Sequence, residues 1–316
     1  MDNLTHTLVG GVLARAGLSE RTPYGTAVCL VAANIPDVDI VVGFDTIDYL
    51  NYHRHLTHSL FVIPLMALLA VGLVAGAARL MRRPKRVRWG PAYGVAVVVA
   101  YSHPLLDFMN TYAIRLWLPF SEEWSSWDAL FVIDPVLWAI LAAVLVNCWW
   151  LSGARSRYLA MLGLVLLVCY CGLNRYWHDR VVAVLPGEEI AGEAVIRVAA
   201  FPAPWLPTDW IGVVETETAY YGFEMDVLKL ASIDVSRGVR TAKLDQEPAV
   251  KAAWESTLGN DYRRFAQYGF ARVDRSGDGY RVLLADMRFM RGGRVGLVCS
   301  FELDGAFGVV RSTFGF

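Results

Sequence analysis

Charge is scarce in this chain. Asp, Glu, Lys and Arg together supply 19% of its 316 residues, whereas 55% are hydrophobic. That balance, with a mean hydropathy of +0.38, excludes a disordered chain and points to a membrane protein. A net charge of −1 at pH 7 leaves no basic surplus for a phosphate backbone, so no direct nucleic-acid binding is expected. Cysteine is sparse too: Cys29, Cys148, Cys169 and Cys171 lie in apolar stretches, and Cys299 stands alone. Neither a disulfide framework nor a zinc-ribbon spacing can be read from them. A Gly-rich phosphate loop, a nucleophile elbow and an HExxH helix are all missing. No basic segment precedes an apolar core at the start, where Asp2, Asn3, Thr5 and His6 are polar, so a retained segment is expected there instead of a cleaved signal.

What is present is a concentration of histidine. Three of the six, His53, His55 and His58, fall within six positions just before a long apolar run. Imidazole is a common ligand for zinc and related ions, and polar groups beside hydrocarbon are costly unless bound or paired. The plain alternative is a polar cap at a membrane surface.

Apolar runs predict an α-helical transmembrane N-terminal domain over residues 1–180. Asn3 to Leu18 and Tyr24 to Ile35 read as two helices of roughly 18 to 22 Å each, too short to span and suited to an antiparallel hairpin. Gly10, Gly11, Ala14 and Ala16 allow close helix approach. About four spans follow: Leu60 to Ala78, Trp89 to Phe108, Ala129 to Leu151 and Tyr158 to Leu173. Basic connections at 79–88 and 152–157 fall on one side, which the positive-inside rule makes cytoplasmic. His53, His55, His58, His103, Asp107, Asp134 and His178 then share the outer level, and the hairpin returns Asp37 and Asp39 to the level of His6.

From about Val181 the pattern turns to period two. Runs such as Ala194 to Ala200, Trp210 to Thr218, Tyr280 to Asp286 and Val295 to Phe301 read as antiparallel strands, interrupted by a helix over Pro248 to Tyr268. Residues 181–316 are therefore expected to form a soluble α+β domain, placed on the periplasmic side by the same topology.

The chemistry-bearing residues lie in the first 180. His103 and Asp107, at i and i+4, share a helical face and can ligate one ion. Asp37 and Asp39 offer two carboxylates on a turn, for which capping is the plain alternative. His58 is a candidate ligand with Thr57 and Ser59 as supporting hydroxyls; His53 suits a general acid or base, and Arg54 an anionic group. His6 is a further candidate ligand. Asp134, apolar on both sides in sequence, needs a partner and is assigned a supporting role. His55 is assigned none, and His178 reads as interfacial.

His6 after Asp2, Asn3, Leu4 and Thr5; Asn34 to Asp39; His53, Arg54, Thr57, His58 and Ser59; His103, Asp107, Asn110 and Tyr112; and Phe131 to Pro135 together carry a resemblance. Over about residues 1 to 180 the chain resembles the inner-membrane-associated, LexA-binding hydrolases, also described as membrane-bound metal-dependent hydrolases. The resemblance implies a multi-pass bacterial inner-membrane protein, metal-dependent hydrolysis and a LexA association, although the topology leaves a cytoplasmic partner only short basic loops. The His and Asp set also looks like that of zinc-dependent phospholipases C and P1 nucleases, by analogy alone. The expected function is thus a hydrolase using one or two divalent ions, zinc foremost, on an ester or phosphoester, with a membrane lipid as the natural substrate class. The rival is a non-catalytic metal-containing membrane protein that binds a lipid or protein partner.

Overall fold

The computed structural model describes residues 1–41, 52–83, 85–230 and 238–315. Two compact units emerge, one drawn mainly from residues 1–176 and helical, the other mainly from 177–316 and built of sheet.

The helical unit begins with α1 (Asn3–Arg15), capped by the Asp2 carboxylate, which accepts from the Leu4 and Thr5 amides at 3.0 and 3.1 Å. Helix α2 (Gly25–Asn34) packs antiparallel to it, and Asn34 Nδ2 donates to Thr7 Oγ1 at 3.0 Å. Gly10 sets their spacing: a Cβ there would lie 2.7 Å from Ala33 Cβ. A 3-10 segment, Ile35–Val41, continues directly from α2. After the 3-10 turn Leu56–His58 come α3 (Ile63–Leu80), α4 (Trp89–Phe108), α5 (Pro135–Trp150) and α6 (Gly153–Val184). Small and β-branched residues of α2, α3 and α4, among them Ala32, Ala67, Ala70, Ala96 and Val99, form one core. Val9 and Val12 of α1 pack with Leu137, Leu141 and Val144 of α5 and Ala160 and Leu167 of α6 in another.

Four spans are not what this unit contains. Among the described residues, only α3 and α6 are long and apolar enough to cross a membrane. Helix α5 has 16 residues because Asp134 ends the preceding non-helical stretch: its carboxylate accepts from Leu137 N at 2.9 Å and Pro135 occupies the first turn. Helix α4 is long, but Pro91, Tyr93, Tyr101, Ser102, His103, Pro104 and Asp107 dilute its hydropathy, and His103 and Asp107 are buried in the protein. Helix α6 does not stop near Leu173; it continues through Asn174, Arg175 and His178 to Val184. Both α3 and α6 expose broad apolar faces, including Leu65, Leu68 and Leu73 on one and Leu162, Val165 and Val168 on the other.

The expected α+β domain is instead a large antiparallel β unit. Strands β1 (Glu189–Ile190), β2 (Glu193–Pro202), β3 (Asp209–Thr216), β4 (Ala219–Asp226) and β5 (Val239–Ala242) form a five-stranded meander in sequence order. After helices α7 (Pro248–Glu255) and α8 (Thr257–Phe265), strands β6 (Gly269–Ser276), β7 (Gly279–Asp286), β10 (Val298–Leu303) and β11 (Val309–Gly315) form a second sheet in the order β11-β10-β7-β6. A small ribbon, β8 (Met290–Arg291) and β9 (Arg294–Val295), lies between β7 and β10 in sequence. Phe201, Ile211 and Val213 of the first sheet pack on Phe270, Ala285 and Met287 near the second, while Trp210, Val214 and Tyr221 cover the opposite face with Val181 and Leu185. The single helix expected over 248–268 is split at Ser256, whose hydroxyl caps α8 by accepting from Gly259 N at 3.1 Å.

Candidate metal centre

Four elements of the helical unit converge on one buried cluster. Asp37 and Asp39 lie on the 3-10 segment, where they alternate with exposed Val38 and Ile40, so that both carboxylates turn inward. His53, Arg54, Thr57 and His58 come from the approach to α3, His103 and Asp107 from one face of α4, and His6 from α1. All nine are buried except Thr57, which is partly so.

At the centre, His58 Nε2 and His103 Nε2 stand 3.1 Å apart. Asp37 Oδ1 is 3.2 Å from the first and 3.4 Å from the second. Asp107 Oδ2 is 3.4 and 3.3 Å from the same two nitrogens. The far side of each imidazole is held: His103 Nδ1 lies 2.7 Å from the Ala33 carbonyl oxygen, and His58 Nδ1 lies 3.2 Å from Asp39 Oδ2 and 3.0 Å from Thr57 Oγ1. Nδ1–H donation to Ala33 leaves the Nε2 lone pair of His103 facing the centre.

Asp39 is consequently an organiser. It also accepts from Arg54 N at 3.0 Å and Thr57 Oγ1 at 2.9 Å, and its other oxygen is 3.3 Å from His53 Nδ1. Arg54 takes a left-handed backbone, φ 56°, to make that contact. Its guanidinium reaches Asp107 Oδ1 at 3.1 Å, Asn110 Oδ1 at 2.9 Å and Ala113 O at 3.2 Å, and lies 4.6 Å from the centroid of the Tyr112 ring. The Met1 amino group also contacts Asp107 Oδ1. His6 stacks on His103 with ring centroids 3.6 Å apart and brings Nε2 within 3.5 Å of Asp107 Oδ1. Among the described residues, both His6 nitrogens and Asp107 Oδ2 have no hydrogen-bond partner.

Burial opposes ionisation of Asp37 and Asp39, yet the imidazoles of His103 and His58 hold Asp37 well below the usual range, and those of His53 and His58 do the same for Asp39. Burial works against the charged form of His58 as well, but Asp37 and Asp39 raise its pKa above the ordinary value. His6 is pushed well below by burial and by His103 beside it, and His53 is lowered by burial, partly offset by Asp39.

Not every expected residue joins the cluster. Asp134 caps α5 and accepts from the Tyr170 hydroxyl at 2.9 Å, so its partners are elsewhere. Ser59 donates to the Leu118 carbonyl, not to an imidazole. Asn110 and Tyr112, given no role from composition or spacing, hold Arg54; their positions three and five residues after Asp107 are the signal that marks them. The three ligand groupings within reach of a single ion are His6, Asp37 and His103; His58, His103 and Asp107; and Asp37, Asp39 and His53. Nitrogen and carboxylate donors with unsatisfied buried atoms are the chemistry that fits a cation.

Helices with exposed apolar faces around a buried His and Asp cluster able to hold a metal ion define a membrane-associated protein class. The chain belongs to the YdjM inner membrane protein family, whose model matches residues 1–181. No curated protein and no solved structure matches it.

Proposed function

We propose that the chain is a membrane-bound metal-dependent hydrolase acting on an ester or phosphoester, with a zinc-like ion held by Asp37, His58, His103 and Asp107. One observation carries the reading: His58 Nε2, His103 Nε2 and Asp107 Oδ2 stand 3.1 to 3.4 Å from one another, and Asp37 Oδ1 stands 3.2 and 3.4 Å from the two nitrogens. Ligand atoms at zinc-bond distance in a tetrahedron stand about 3.3 Å apart. Such an ion would supply a Lewis acid and lower the pKa of water toward about 7.

The chain's own residues fix the rest. Ala33 and Asp39 orient the two ligating imidazoles from behind, while Arg54 holds Asp107 and is too engaged to clamp a substrate anion. His53, in contact with Asp39 and 5.8 Å from the Tyr112 ring centroid, is placed to move a proton, and His6 offers a second neutral imidazole. These two imidazoles, which the tetrahedron does not need, favour catalysis. Four protein ligands around one ion instead favour the rival, a closed structural metal site in a protein that binds a lipid or protein partner.

The basic ends of α3 and α6 support a multi-pass topology with residues 79–88 and 155–157 in the cytoplasm. The cluster and the β unit then belong on the periplasmic side, where a lipid headgroup is the nearest ester or phosphoester, and a LexA contact has only the short basic loops to use. A reporter fused at the C-terminus tests the topology. Metal analysis of purified protein, with a phosphoester and ester panel, tests the function: about one ion per chain, lost in His103→Ala together with hydrolysis, is expected. Metal-free wild type would overturn both readings, and metal without turnover on any panel member would leave the structural one.

A further inference from the structure

A groove between α2 and α3 lies at the far end of these helices from the His and Asp cluster. Asp37 follows α2 and His58 precedes α3, whereas this groove is lined by Tyr24, Ala27 and Val31 along α2 and by Leu73, Ala77 and Met81 at the end of α3. The 18 residues of α3 put about 27 Å between its two ends. The groove has a volume of about 560 Å³, and Arg83 is the one charged residue among its otherwise largely apolar lining.

That end is built, not frayed. Tyr24 donates its hydroxyl to the Lys85 carbonyl at 3.1 Å, tying the segment after α3 across the start of α2. Arg79, Arg82, Arg83, Lys85, Arg86 and Arg88 crowd this segment with no acidic residue between them, and none of the six has a carboxylate partner in an ion pair among the described residues. An apolar slot that opens onto unpaired cations fits a molecule with a hydrocarbon tail and an anionic head. A neighbouring groove of about 550 Å³, between Leu18, Arg21, Pro91, Gly94, Val95 and Val98, has similar size and likewise one arginine, but Glu20 adjoins that arginine in sequence and no basic run does.

We propose that the α2–α3 groove is a binding site for one anionic phospholipid, its acyl chain along Ala27, Leu73 and Ala77 and its phosphate at Arg83. The site is independent of the metal centre and of its chemistry. Free phosphate would use the arginine but not the slot, and a zwitterionic lipid would use the slot but leave the basic run uncompensated.

Full-length protein in maltoside micelles is titrated with phosphatidylglycerol, with phosphatidylcholine of the same chains and with inorganic phosphate, and thermal unfolding of the helical signal is recorded. Phosphatidylglycerol is expected to raise the melting temperature more than either control, because a ligand of the folded state stabilises it by mass action. Arg83→Gln should weaken the apparent affinity at least tenfold. Ala77→Trp, at an exposed position, should fill the slot and abolish the effect, while Gly94→Trp in the neighbouring groove should preserve it. Equal stabilisation by the two lipids overturns the proposal, as does a phosphatidylglycerol effect that survives Ala77→Trp. Native mass spectrometry of the wild type gives a readout that does not depend on variant folding: one retained phosphatidylglycerol is expected, and none, or a graded series, counts against the site.

Discussion

Asp286 and Arg288 in the β unit are as deeply buried as anything in the helical unit, and their surroundings are the reverse. Asp286 accepts from the Gln267, Tyr268 and Arg288 amides at 2.9, 3.3 and 2.8 Å and from the Arg288 side chain at 2.9 and 3.0 Å. Arg288 also donates to Phe265 O at 2.8 Å and lies against the Phe265 and Phe289 rings. Buried charge is there matched donor for acceptor within the chain. In the His and Asp cluster, two imidazole nitrogens face each other and two carboxylate oxygens across 3.1 to 3.4 Å, and Asp107 Oδ2 lacks any donor among the described residues. A low-dielectric interior tolerates the first arrangement unaided; the second is acceptor-rich and calls for a cation.

The largest expected effect breaks the self-sufficient site. Arg288→Met leaves Asp286 buried without its counter-charge and should destabilise the β unit by about 3 to 5 kcal/mol, seen as early loss of sheet signal in urea. Chelation should act only on the other unit. Removing the ion is expected to lower helical stability by about 4 kcal/mol if it is present at about a thousand times its dissociation constant, with the β transition unmoved; equal shifts in both transitions would erase the contrast. Asn110→Ala should cost about 1 to 2 kcal/mol by releasing the Arg54 guanidinium from one acceptor, and should loosen metal retention because Arg54 holds Asp107.

Acid gives the smallest and most discriminating test. Burial opposes the Glu215 charge, but Lys243 and Arg197 hold its pKa below the ordinary value. A depressed carboxylate stabilises the fold above its unfolded pKa, about 4.3, and loses that contribution as pH falls through the folded value. With Arg197 partly in solvent, the effect is about 1 kcal/mol or less, and Lys243→Met should raise the pH at which the sheet melts. The metal centre should also lose its ion on acidification as protons compete for the imidazoles, and because burial lowers the His103 pKa to about 4, the loss is expected only as pH falls toward that value. Metal retention that does not change with pH would refute the imidazole ligation.

Local patterns were readable without the structure. The His103 and Asp107 spacing puts both on one face of α4, and the small residues of α1 and α2 foretell the contact of Gly10 with Ala33. Hydropathy misled at α4 and α5, because a run of apolar residues does not reveal whether its few polar members cap a helix, as Asp134 does, or turn inward, as His103 does. Period-two reading passed over β4, buried on both faces along most of its length, and β5 and β11, largely exposed edge strands, since none of them alternates.

By itself, then, the sequence determined the apolar character, the helical first half, the strand-rich second half and the residue types able to bind an ion, all of which follow from composition and from spacings of two to four residues. Only the tertiary structure decided that Asp37 and Asp107 each bring one oxygen to the facing nitrogens of His58 and His103, that Asp39 stands behind His58, and that Arg54 is occupied by Asp107 and Asn110. Those residues lie up to 73 positions apart, and their contacts within 3.5 Å form only because helix packing sets the position and rotation of each element against the others.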